Sequence, residues 1–131
     1  MAIGKVMVVD DEKNVRDIIR LQLEQKGFHI LEAENGEQAI KVLNEGNNLV
    51  SVGLILCDIR MPKVNGIEVI DYLKQEAPGV PIVVLTGYPD TDLAVSLMKK
   101  GVKDYLVKPI DKAKLYETVD SIVAAGKDFE Y

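Results

Sequence analysis

Five strand-sized apolar runs, each followed by apolar residues at helical spacing, constrain this 131-residue chain more than any other feature. Residues 3–9 form the first run and end at Asp10-Asp11. Val15, Ile18, Ile19 and Leu23 then recur at helical spacing up to Gly27, a C-terminal stop. Residues 28–33 alternate as a strand, before a helix with Ala39, Ile40 and Leu43 inward and Gly46 near its end. Residues 50–57 read as a buried strand closed by Asp58, and Ile67, Ile70 and Leu73 as a third helix that stops before Pro78. A fourth strand over 81–85 ends at Thr86-Gly87, and Ala94, Leu97 and Met98 mark a fourth helix stopped by Gly101. A fifth strand over 103–107 ends at Lys108-Pro109, ahead of a fifth helix carrying Leu115, Val119, Ile122 and Val123. Strict alternation predicts an α/β fold, a parallel sheet with helices on both faces. Right-handed crossovers favour the flavodoxin-like (βα)5 doubly wound order 2-1-3-4-5.

The length suits one domain, placed at 1–125, with 126–131 a tail or the start of a linker. Its apolar runs are too short to span a bilayer, and its N-terminus lacks a charged head and long apolar body, so a cytoplasmic address is expected. A single cysteine excludes an internal disulfide. Cys57 lies within an apolar run and reads as a small core hydrophobe. The net charge of −5 argues against direct nucleic-acid binding, which requires clustered positive charge.

In such sheets ligands bind beyond the carboxyl ends of the strands. Those ends carry Asp10, Asp11, Asp58, Thr86 and Lys108. Singly, each has a plain explanation: the acids cap helices or turns, Thr86 beside Gly87 makes a turn, and Lys108 is a solvated charge. Those explanations do not account for all five reaching one edge. Crowded carboxylates resist ionising together unless a cation compensates. An all-oxygen donor set suits Mg2+, with Mn2+ as an alternative.

Val8-Val9-Asp10-Asp11-Glu12, the stretch from Asp58 through Met61-Pro62 to Gly66, Leu85-Thr86-Gly87 and Asp104-Tyr105-Leu106-Val107-Lys108-Pro109 resemble the motifs of response-regulator receiver domains. The resemblance runs from about Lys5 to about Ala125 and extends to the chemotaxis-type single-domain receivers. It implies that Asp58 is the phospho-acceptor, taking a phosphoryl group from a sensor histidine kinase or phosphotransfer protein. It also implies Mg2+ held by Asp10, Asp11, Asp58 and the backbone carbonyl of Arg60. Lys108 and Gly87 would contact the phosphoryl group, and Pro109 would follow a cis bond. Gly66 fits a turn with positive φ. Thr86 and Tyr105 would act as a switch, remodelling the face of the fourth helix, fifth strand and fifth helix for an output domain or protein, with homodimerisation on phosphorylation. Such a protein has no independent turnover beyond its own aspartyl phosphorylation and dephosphorylation.

Residues 44–52 are longer and more polar than is common in that family, and Gly53 stands where an acid is frequent. Arg60 and Tyr88 vary in the family and would tune acyl-phosphate lifetime, whereas His29 reads as structural. Three alternatives compete, the weakest being nucleotide binding, since no Gly-rich loop follows the first strand. A haloacid-dehalogenase-type phosphohydrolase would need Asp-x-Asp after the first strand, which instead ends Asp-Asp-Glu. A docking module without phosphorylation would not need all five site residues.

Overall fold

The apolar runs form one five-stranded parallel sheet in the computed structural model, which describes residues 4–59, 66–87 and 91–128. Its strands are β1 (Lys5–Val9), β2 (His29–Ala33), β3 (Val52–Asp58), β4 (Ile82–Thr86) and β5 (Asp104–Val107). Their spatial order is β2-β1-β3-β4-β5, the order that right-handed crossovers favoured. The helices are α1 (Lys13–Glu24), α2 (Gly36–Leu43), α3 (Asn48–Ser51), α4 (Gly66–Glu76), α5 (Thr91–Lys99) and α6 (Lys112–Asp128). The fourth and fifth helices of the sequence pattern are therefore α5 and α6.

Strand alternation sorts the core into two layers. Met7, Val9, Ile55, Cys57 and Val84 face one side, where α2, α4 and α5 cover them with Ala39, Leu43, Val69, Ile70, Leu73 and Leu97. Val6, Val8, Leu54, Leu56, Val83 and Leu85 face the other, under Ile19 and Leu23 of α1 and Leu115 and Val119 of α6. Burial on both faces explains why β1, β3 and β4 read as continuous apolar runs. It also leaves the strand ends as the main places for polar side chains on the inner strands.

Local chemistry sets the element boundaries. Asn35 caps α2 by accepting from the Gln38 backbone N–H at 2.8 Å, while the Gln38 side chain accepts from the Glu34 N–H at 2.6 Å. Gly27 and Gly101 end their helices with φ of 93° and 94°, conformations costly to other residues.

The start of the third strand departs from the pattern. The third strand begins at Val52 rather than at residue 50, because residues 48–51 form α3 and leave Val50 exposed. Asn48 ties this segment to α2 and β1. Its Nδ2 donates to the Val42 carbonyl at 2.7 Å, and its Oδ1 accepts from Lys5 Nζ at 3.3 Å. A four-residue helix of mixed polarity leaves no periodic signal in a sequence.

Leu56 lies at the centre of the sheet with no solvent exposure. Leu56→Ala should cost about 2–5 kcal/mol of stability through lost burial and the cavity left behind. Urea denaturation of the two proteins measures it.

Candidate functional site

Because all five strands run parallel, their carboxyl ends share one edge, and the sequence-selected groups collect there. Asp10 follows β1, and its backbone N–H donates to the Ala33 carbonyl at the end of β2. Asp58 is the last residue of β3, paired in register with Leu85 of β4. Lys108 follows β5, and its N–H donates to the Thr86 carbonyl at 2.7 Å. Asp10, Asp58 and Thr86 are buried.

Lys108 joins the ends of three strands through its ammonium. Nζ lies 2.7 Å from Asp10 Oδ2, 2.9 Å from Asp58 Oδ2 and 3.1 Å from Glu12 Oε1. Asp10 Oδ1 accepts from the Glu12 N–H at 2.8 Å. Its Oδ2 meets Lys108 outside hydrogen-bonding geometry, so this buried oxygen lacks a hydrogen bond among the described residues. Asp11 is exposed, and its carboxylate makes no hydrogen bond or ion pair with the described residues. Asp10, Asp11, Glu12 and Asp58 each offer an oxygen, all within 4.8 Å of one another.

The electrostatics divide unevenly. Burial raises the Asp10 carboxyl above its ordinary range and outweighs the pull of Lys108 and the Glu12 N–H. Burial pulls Lys108 down, but Asp10 and Asp58 together more than reverse this, so its ammonium is held above the ordinary lysine value. One cation serves several anions. It is firmly charged, while the acids receive only a share of it. The site is thus short of positive charge, and its all-oxygen donors fit a hard divalent cation.

The remaining predicted residues fall in different places. Among the described residues, nothing lies within 4 Å of where a Cβ would stand at Gly87. The Lys108–Pro109 bond is cis. Tyr105 is half-exposed on β5, opposite Val84. It shares a sheet face with Thr86 and Val107, through the pairs Val84–Tyr105 and Thr86–Val107.

Gly66 corrects an expectation. It opens α4 without the positive φ expected of it, and close approach is what demands glycine. A Cβ there would collide with the Asp58 carbonyl oxygen and Ile59 Cα. Arg60 and Tyr88 lie outside the described residues. His29 is exposed at the start of β2, at the opposite end of its strand from the acidic edge. Cys57 is fully buried, and burial followed by the charges of Asp58 and Asp10 pushes its thiol far up, which keeps it protonated and inert. Sequence reasoning did not select Glu12, although it directly follows the acid pair.

Residues 6–120 match the family described as the response regulator receiver domain. The transcriptional regulatory protein ZraR of Klebsiella oxytoca is 36% identical over 119 residues, covering 91% of this chain and 26% of that protein. The chain thus spans about a quarter of that relative's length. A response regulator receiver domain protein from Clostridium thermocellum superposes with a TM-score of 0.88 at 28% identity, covering 97% of this chain and 99% of that one. The chemotaxis protein CheY4 of Vibrio cholerae shares the fold at a TM-score of 0.82, with 24% identity over 92% of this chain and 99% of that one. The expected likeness to chemotaxis-type receivers in particular is therefore not specific, since the more similar curated relatives are transcriptional regulators.

Two predictions follow from packing and charge. Gly66→Ala should destabilise the fold by about 1–3 kcal/mol through overpacking against the backbone, measured by urea denaturation. Asp10→Asn should raise the melting temperature in metal-free buffer at neutral pH. Because the folded-state pKa of Asp10 is raised, the wild-type acid loses stability as pH climbs from its ordinary value of 3.8. The gain from Asp10→Asn should therefore be small near that pH and full at neutrality, as calorimetry across pH would show.

Proposed function

The chain belongs to the response regulator receiver family, and on that premise we propose that it accepts a phosphoryl group on Asp58 as the switch of a two-component signalling system. The convergence of Asp10, Asp58 and Lys108 at the carboxyl edge carries this reading. Asp58 attacks phosphorus, the P–N bond of a donor phosphohistidine breaks, and the histidine leaves as neutral imidazole, its proton supplied by solvent. The donor is a sensor histidine kinase or a phosphotransfer protein.

Asp10, Asp11, Asp58 and the Arg60 carbonyl would hold Mg2+, or Mn2+ in its place. The acidic cluster and the underserved Asp10 oxygen support this assignment. Once bound, the cation would offset the negative charge of the carboxylates and of the transferring phosphoryl oxygens. Lys108 exchanges its carboxylate partners for a phosphoryl oxygen, and the Gly87 N–H donates to another. Thr86 turns its hydroxyl toward the phosphoryl group, and Tyr105 turns inward on the same sheet face. The α5-β5-α6 surface then changes for an output domain or protein, or for a second copy of the chain. The proposed unit spans residues 1–125, with α6 continuing to Asp128. A cytoplasmic setting fits; among the described residues no helix is long and apolar enough to cross a membrane.

Incubation with a radiolabelled phosphohistidine donor should label the wild-type chain only with Mg2+ present. Asp58→Asn should abolish labelling; undiminished label in that variant or in chelator would refute the assignment. Lys108→Ala should leave the α5-β5-α6 amide resonances largely unmoved by a phosphoryl mimic that shifts them in the wild type.

A further inference from the structure

Asp10 is held at four points, and one of them comes from a side chain outside the acidic edge. Its N–H donates to Ala33, its Oδ1 accepts from Glu12, and its Oδ2 faces Lys108. The fourth point is its carbonyl, which accepts from Arg16 Nη1 at 2.6 Å. The β1–β2 ladder ends at the pair Val9–Ala33, so the Asp10 carbonyl lies beyond the last register pair. Arg16, in the first turns of α1, takes it up.

The same guanidinium reaches β2. Arg16 Nε donates to Glu32 Oε1 at 3.2 Å, and Glu32 Oε2 accepts from Arg20 Nη1 at 2.8 Å. The Arg16 side chain is only 12% exposed. Its planar fork thus grips a backbone carbonyl and a carboxylate on two different elements, an arrangement that a lysine point charge reproduces poorly.

We propose that Arg16 is a positioning residue for the metal-binding acids, fastening the β1–α1 connection to β2 through Glu32. This rests on the metal reading of the acidic edge given above. The connection consists of Asp10, Asp11 and Glu12, three consecutive acids between the last residue of β1 and the first of α1. Asp11 has no side-chain partner among the described residues, so its carboxylate goes where the backbone puts it. A loosened Asp10 carbonyl moves that backbone. Groups that orient metal ligands from behind commonly govern affinity by about ten- to a hundredfold.

Calorimetric Mg2+ titrations of the full chain test this in the wild type, Arg16→Met, Arg16→Lys and Glu32→Gln. The phosphorylation rate from a small phosphoryl donor is followed in parallel as Mg2+ is varied. The expected result is Mg2+ binding weakened by about tenfold in both Arg16 variants and by less in Glu32→Gln. The rate at saturating Mg2+ should stay near wild type, so that the half-saturating Mg2+ moves and the maximal rate does not. Full recovery of affinity in Arg16→Lys would overturn two-point positioning in favour of charge alone. A lowered melting temperature with unchanged Mg2+ affinity would overturn the proposal and leave Arg16 a stability residue. Should Arg16→Met fail to fold, unchanged affinity in Glu32→Gln would overturn it equally. A wild type that binds no Mg2+ would remove the metal reading itself, whereas a wild type that binds with indifferent variants removes only the role of Arg16.

Discussion

The Lys108 ammonium ties the ends of β1, β3 and β5 together by facing Asp10, Asp58 and Glu12 at once. Its backbone N–H adds β4 through the Thr86 carbonyl. Four strands that are distant in the chain therefore meet around one cation. The lysine is stabilised as a cation by its acidic company, so its contribution persists through neutral pH and is lost as pH climbs from the ordinary lysine value through its raised one. Asp10 pays for the same crowding, since its burial disfavours the ionised form. Structure and reactivity thus share one cause: the edge holds more negative charge than one ammonium can balance.

Such an edge needs a rigid base. Both faces of β1, β3 and β4 are sealed, by α1 and α6 on one side and by α2, α4 and α5 on the other. Interiors packed to that degree deform little. The acids can then be placed by backbone alone, as at Asp11, or by a few directed contacts, as at Asp10. Gly66 shows how tight the fit is: α4 begins so close to the Asp58 carbonyl that a methyl group has no room.

Much of this was legible beforehand. The strands announced themselves by apolar runs, and the helix faces by their spacing. Asp10, Asp11, Asp58, Thr86 and Lys108 were found because each ends a run, and parallel topology brings all such ends to one edge. The rest was hidden for specific reasons. The short helix α3 depends on Asn48 bonding to Val42 and Lys5, contacts with no local pattern. Gly66 suggested a turn, because sequence carries the absence of a side chain but not the neighbour that requires it. Glu12 and Arg16 carry no local signal of their roles, because their partners, Lys108 and Glu32, lie elsewhere in the chain.

The sequence by itself determined the alternation of elements and the identity of the groups at the strand ends, because apolar periodicity is a local property of the chain, whereas crossover handedness only favoured one sheet order. Only the tertiary structure decided how those groups share charge, which glycine is sterically compelled and which arginine supports the first acid. Those outcomes depend on distances of about 3 Å between residues up to 98 positions apart, as between Asp10 and Lys108, and such distances exist only once the sheet has closed around its core.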